Sequence, residues 1–410
     1  MANIHLKQAF SIEDKIALMQ QDAKFDVADD EADSYMEASA MKQIRKSIKS
    51  PKGAFTAPKV FLSNDCIFNC SYCGCRRCCD NKTRYANTPR EFAQISLDTA
   101  KFNGDKVFIT SAIYKNPDYT EELIIETMRI MRREYGYKGY LHAKVMPGTD
   151  PELIRQAGLY ANRLSVNIEV AKSDGYNIIA HEKNKSNILR PMGQISRLIQ
   201  EAKANNKPRF ATTQTTQLMA GSTEEDDFTI LNLSHALYGK YQLSRVYYTA
   251  YQYHHQADGY DERPEVTTPR WRSSRLYQAD RLMQLYGFTP EEIAPSDARN
   301  LASDFDPKAA WALRNLHLFP IEVNTADYEM LIRIPGIGIT YANRIIEARR
   351  QCRVTHSILK QLGVHLRRSQ HFLTADGKYT GVSGSDSITF AQLLRSPLDD
   401  HIDESDENCE

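Results

Sequence analysis

Cys66-Ile67-Phe68-Asn69-Cys70-Ser71-Tyr72-Cys73 follows shortly after the apolar run Val60-Phe61-Leu62. Three cysteines spaced C-x3-C-x2-C at the mouth of a strand contribute little to packing. They suit iron, because one loop can then supply several thiolates to one cluster. A cubane cluster held by three local thiolates keeps one iron open to a further ligand. The alternatives are a structural zinc site, which ordinarily uses paired C-x2-C knuckles with distant partners, and a disulfide cluster, which suits secreted proteins. The loop continues Gly74-Cys75-Arg76-Arg77-Cys78-Cys79. Cys75, Cys78 and Cys79 are read as bystanders. Arg76 and Arg77 are open to three readings: a grip on substrate phosphate, a grip on a ligand carboxylate, or solvation.

The chain has 410 residues, of which 41% are hydrophobic and 25% charged, the composition of a globular protein with one large domain and smaller additions. Lys+Arg and Asp+Glu are both 52, so net charge favours no class of partner. Six of the eight cysteines lie between Cys66 and Cys79, a bunching that points to metal rather than disulfides. The N-terminus resembles no secretory signal, and no stretch approaches the roughly 18 apolar residues that cross a bilayer. A reducing cytoplasm and no membrane association are expected.

From Pro58 onward, short β-branched or aromatic runs alternate with longer amphipathic segments, as in βα units around a parallel sheet. Strands are expected at 60–63, 107–111, 141–145, 164–170, 210–214 and 245–251. Helices are expected at 89–102, 121–135, 151–160, 191–204, 225–238 and 273–286. Thr88-Pro89 and Asp150-Pro151 each place a capping residue before a proline at the first helical position. The fold class is α/β, with six βα units where a closed barrel needs about eight. Such folds bind ligands at the carboxyl ends of their strands, and the cysteine loop follows the first strand at that end. Side-chain alternation places Ser165, Asn167 and Glu169 on one face of the fourth strand, and Thr212, Gln214 and Thr216 on one face of the fifth.

Past Asp306-Pro307 the rhythm changes. Residues 324–346 read as helix, hairpin, helix, with Asn324 or Thr325 as N-cap, and Ile334-Pro335-Gly336-Ile337-Gly338 as the turn. Leu331 and Ile334 would face Ala342, Ile345 and Ile346. Bare glycines at a helix N-terminus let backbone N–H groups approach phosphate closely. Between Lys308 and Gln370 stand ten basic residues against four acidic, a net +6, the footprint of a polyanion partner. This stretch resembles the helix–hairpin–helix motif of DNA-binding and repair proteins. The resemblance implies DNA contacts from Gly336, Ile337, Gly338, Thr340 and Arg344, made to phosphate without reading sequence.

The C-x3-C-x-aromatic-C pattern resembles the signature of the radical S-adenosylmethionine (SAM) enzymes, whose core is an open, partial (β/α)6 TIM-like barrel. The resemblance implies a 4Fe–4S cluster on Cys66, Cys70 and Cys73, with S-adenosylmethionine chelated by the open iron. It places Tyr72 near the adenine, and Ser111, Ala112, Asn167 and Glu169 around the rest of the cofactor. The match at Thr110-Ser111-Ala112-Ile113 is loose, because Ser and Ala stand where the family often has glycines. The combination with a hairpin domain is similar to a group of radical SAM proteins linked to DNA modification or repair. That implies a uracil-DNA-glycosylase-like partner and a flavodoxin- or ferredoxin-type reductant. An RNA-modifying (tRNA) enzyme, and a DNA-binding protein with a structural cluster, are the alternatives. The expected organisation is an accessory segment (1–57), a partial barrel (58–300), a small α-helical hairpin region (306–372) and an extension with an acidic tail (373–410).

Overall fold

The computed structural model describes residues 59–78, 83–102, 104–205, 210–252 and 267–382, together with 392 and 394. The accessory segment (1–57), Cys79, Cys409 and the acidic tail lie outside the described residues. The chain divides into two compact units, residues 1–225 with 236–268 and residues 226–235 with 269–410.

The first unit is built on six parallel strands: β1 (Lys59–Phe61), β2 (Lys106–Thr110), β3 (Tyr140–Lys144), β4 (Arg163–Ser165), β5 (Thr213–Ala220) and β6 (Arg245–Ala250). They pair strictly in sequence order, so the sheet is open, with β1 and β6 at its edges. Crossovers run through α1 (Pro89–Phe102), α2 (Pro117–Arg129), α3 (Pro151–Tyr160), α4 (Gly175–Ile179), α5 (Lys185–Ala204) and α6 (Asp227–Tyr241). The local signals do what they should. Thr88 and Glu91 cap each other across the first turn of α1, and Asp150 accepts from the Glu152 N–H at 2.8 Å. Both satisfy N–H groups that have no partner within the helix.

The face of the sheet that meets the helices is fully apolar on β2 and β3, where Val107, Ile109, Leu141 and Ala143 are all 0% exposed. Burying each large aliphatic is worth about 2 kcal/mol. The opposite face is polar. Tyr140 and His142 of β3 and Tyr247 and Thr249 of β6 alternate with that core and remain half-buried. Near the amino ends of the strands, the Arg163 guanidinium bonds the Thr213 hydroxyl at 3.1 Å and lies over the Tyr140 ring.

The alternating polar residues of β5 share a face, as read, and that face is satisfied within the fold. Gln214 of β5 points to the helices, donating to the carbonyls of Met192 and Tyr241, both at 3.1 Å. Thr216 bonds the backbone of Val166 and Ile168. The polar face is therefore carried by Thr213, Thr215 and Gln217. The strand begins three residues later than Phe210 suggests, because that ring packs on α3 against Gly158, where a Cβ would lie 2.1 Å away.

The second unit is helical: α7 (Arg270–Tyr286), α8 (Pro290–Ile293), α9 (Pro307–Arg314), α10 (Tyr328–Arg333), α11 (Ile339–Ala348), α12 (His356–Gln361) and α13 (Leu366–Ser369). A two-stranded parallel ladder, β7 (Ile321–Glu322) with β8 (Leu373–Thr374), closes it. Its core stacks Phe288, Trp311, Phe319 and Phe372 edge to face. No helix among the described residues is long and apolar enough to cross a membrane.

Candidate iron-sulfur site and phosphate hairpin

The cysteine loop leaves the carboxyl end of β1 and is held by its own backbone against the next crossovers. Ile67 N–H donates to Ile113 O at 3.0 Å, and Ala112 N–H to Ser63 O at 2.9 Å, which ties the loop to the end of β2. Ser71 N–H donates to Ile179 O, and Asn69 N–H to the Glu182 carboxylate at 3.0 Å, which ties it to the end of α4 and the loop that follows. The two arginines left open by the sequence close the loop from within. Arg76, 5% exposed, donates to Ser71 O, and Arg77 to Ile67 O. Arg84 reaches across to the carbonyls of Asn64, Cys75 and Arg76. These guanidiniums satisfy carbonyls that a tight, half-buried loop would otherwise leave without partners.

Cys66 and Cys73 each accept an N–H at 3.4 Å, from Phe68 and Cys75. Such bonds stabilise thiolate sulfur and tune an attached cluster. Burial pushes the Cys66 thiol up to about 11 and the Cys70 thiol up to about 12, with the neighbouring cysteine sulfurs adding to it. Thiolates so disfavoured by burial need positive charge to form, and iron supplies it. No disulfide joins the six described cysteines. Among the described residues no group of three or more His, Cys, Asp or Glu side chains is arranged to hold a single metal ion. A cluster does not demand that convergence, because each thiolate binds a different iron. The donor set fits a cluster of that kind.

Beside the thiols lies a buried polar group that no local sequence signal announces. Lys183, in the loop before α5, donates to the Tyr72 hydroxyl at 2.7 Å and to Glu169 Oε1 at 2.8 Å. The side chains of Lys183 and Glu169 are 10% and 3% exposed. Desolvation works against the Lys183 charge, but Glu169 and the cysteine sulfurs outweigh it and hold the ammonium protonated. Burial, with the anionic neighbours behind it, drives the Tyr72 hydroxyl well above its usual range. Glu169 follows β4 and takes φ +63°, a left-handed backbone uncommon for a residue with a side chain and often found at functional sites.

The other residues singled out from sequence lie on the same end of the sheet. Ser111 and Ala112 follow β2, and the Ser111 hydroxyl is buried with no hydrogen-bond partner. Ser165, the last residue of β4, has a buried hydroxyl in the same state. Asn167 touches Gln217 at 3.5 Å, and Gln217 donates to Thr249 at 3.0 Å. Unsatisfied buried hydroxyls at a strand mouth are rare without a ligand to meet them, so this rim fits a polar cofactor.

In the second unit, Asp327 rather than Asn324 or Thr325 caps α10, accepting from Met330 N–H at 2.8 Å. Asn324 instead bridges to both backbone groups of Val354. Gly336 takes φ +87°, which closes the turn after α10. Gly338 is the N-cap of α11 and offers no side chain, so the first-turn N–H groups remain for an external acceptor. Thr340 is exposed in that turn. The Ile337 side chain is fully buried, so only its backbone can take part.

The basic stripe is largely structural. Arg333 stacks over Phe288 and Trp311 and pairs with Glu292 at 2.7 Å. Arg314 and Arg349 each bind two carbonyls. Arg368 pairs with Asp306, Arg353 with Asp376, and Arg344 donates to Leu362 O. Arg350, Lys360 and Arg367 are exposed.

Residues 320–357 match the family described as the helix-hairpin-helix motif. No curated protein matches the chain. Among solved structures, the chain is similar to the FeFe-hydrogenase maturase HydG from Carboxydothermus hydrogenoformans, with 14% identity, a TM-score of 0.44, and coverage of 66% of this chain and 64% of that one. A second crystal structure of HydG, a maturase of the FeFe-hydrogenase, gives 13% identity, a TM-score of 0.40, and coverage of 67% and 62%. The chain spans a little under two thirds of either HydG chain.

Proposed function

We propose that the chain is a radical SAM iron–sulfur enzyme that acts on DNA. The observation that carries the enzyme reading is the three-thiol loop at the carboxyl end of an open six-stranded parallel sheet, beside unsatisfied buried hydroxyls. Cys66, Cys70 and Cys73 would hold a 4Fe–4S cluster, with S-adenosylmethionine as the second cofactor. When bound and reduced, that cluster supplies the electron that cleaves S-adenosylmethionine to methionine and a 5′-deoxyadenosyl radical. The chain's own part is to position and shield. Ser111 offers a buried hydroxyl and Asn167 an amide to the cofactor. Lys183 holds Tyr72 and Glu169 in place beside the thiols. The Arg76, Arg77 and Arg84 clamps keep the loop rigid.

DNA as substrate is supported by the matched hairpin, whose uncapped helix N-terminus suits a phosphate. A buried base would leave the stack to reach a barrel interior. The uracil-DNA-glycosylase-like partner and the flavodoxin- or ferredoxin-type reductant rest on the resemblance alone. Anaerobically reconstituted, dithionite-reduced protein should release 5′-deoxyadenosine, and duplex DNA should raise that release. Stimulation by tRNA instead of DNA would move the substrate to RNA. No release from a protein with an intact cluster would leave a binding protein with a structural cluster.

A further inference from the structure

Lys308 counts among the ten basic residues of the stripe, yet it does not belong to the solvated face. From the first turn of α9 its Nζ donates to Ile337 O at 2.5 Å, the carbonyl between the two hairpin glycines. The ammonium lies 5.0 Å from the centre of the Tyr286 ring. The Tyr286 hydroxyl closes the other side of the turn, 3.2 Å from where a Gly338 Cβ would be. On the third side, a Cβ at Gly336 would lie 3.4 Å from the Cβ atoms of Arg368 and Ser369. Residues of α7, α9 and α13 therefore grip the hairpin from behind, and Lys308 supplies the hydrogen bond to its central peptide.

That bond has two physical consequences. A carbonyl in a turn this tight needs a donor, and satisfying it fixes the Ile337–Gly338 peptide plane, which carries the Gly338 N–H and leads into the first turn of α11. A charged donor makes the bond stronger than a neutral one and adds positive potential behind a helix N-terminus that already favours anions. We propose that Lys308 is a positioning residue for phosphate binding, holding the Gly336–Gly338 turn in its binding geometry without itself touching the phosphate. This rests on the reading of the hairpin as a phosphate grip. The groups facing the ammonium are Asp306, Arg368 and the Tyr286 ring. Burial pushes Lys308 down to about 7, with Asp306 opposing the shift and Arg368 adding to it.

The test uses the full chain with K308Q and K308R. In K308Q, peptides covering 334–340 should exchange amide hydrogen for deuterium faster than in wild type, without DNA present. The affinity for a short DNA duplex should fall roughly tenfold, with an unchanged salt slope, since no phosphate contact is lost. K308R should restore both. Its affinity should stay level between about pH 6 and about pH 8, where wild-type affinity declines as the lysine loses its proton. Unchanged exchange in K308Q would overturn the proposal. So would a salt slope reduced by about one, which marks a direct phosphate contact. If the wild-type chain binds no DNA, the DNA reading fails separately, and exchange still decides whether Lys308 holds the turn.

Discussion

Lys183 Nζ stands 2.8 Å from Glu169 Oε1 and 2.7 Å from the Tyr72 hydroxyl, so one ammonium joins the segment after β4 to the cysteine loop. The pair is nearly excluded from water. Breaking a buried pair by removing one partner strands the other charge, at a cost of about 3 kcal/mol. K183M should therefore lower unfolding free energy by about that amount, while the K183M/E169Q double variant recovers much of it. Urea unfolding of the three proteins measures this, and equal losses in single and double variants would show that Glu169 is not the stranded partner.

Cys70 is the most deeply buried of the three loop thiols. C70A should lose both iron content and 5′-deoxyadenosine release while the sheet still folds, as read by far-ultraviolet dichroism. Full SAM cleavage without Cys70 would remove the thiol from the proposed ligand set.

Glu121 is fully buried on α2, accepts from Met146 N–H at 3.0 Å with one oxygen, and has no partner for the other. Burial pushes its carboxyl up from 4.5 to about 8. The folded chain then keeps a proton that the unfolded chain gives up, so the unfolded state binds fewer protons across that interval. Stability should be greatest below about pH 4.5 for this group and decline as pH rises toward about 8, by roughly 1.4 kcal/mol per pH unit at most. E121Q, which cannot titrate, should flatten that part of the stability curve in denaturation series run at stepped pH. An unaltered slope would assign the pH dependence elsewhere.

The basic residues of the second unit should separate by role. R333A removes a cation stacked on two aromatic rings and paired with Glu292, and should lower the melting temperature. K360E and R367E change exposed side chains outside every ion pair among the described residues. Each should leave melting unchanged and weaken DNA binding, with a shallower salt dependence. A DNA affinity indifferent to both would place the phosphate path elsewhere.

Where a signal was local, it was legible. The helices at 89 and 151 begin where a capping residue precedes a proline, because those residues act on backbone groups within one turn. The six-unit rhythm survived strand-end errors of five and six residues, since β4 ends at Ser165 rather than 170 and β5 at Ala220 rather than 214. It left open which face of β5 meets the helices, which the bonds from Gln214 to Met192 and Tyr241 decide. The sequence offers Asn324 or Thr325 as the cap of α10, two or three residues ahead of Asp327, and the Asn324 side chain bonds Val354 instead, 30 residues away.

The sequence by itself determined the thiol spacing, the parallel α/β rhythm and the glycine turn, all of which depend on contacts within a few residues. Only the tertiary structure decided that Arg333, Arg349 and Lys308 are scaffold rather than free charge, and that Lys183 meets Tyr72 across 111 residues of chain. The reason is physical. A hydrogen bond closed over so long a loop depends on where the whole sheet brings two segments, and a lysine or arginine looks the same in sequence whether its charge meets water, a carbonyl or a buried carboxylate.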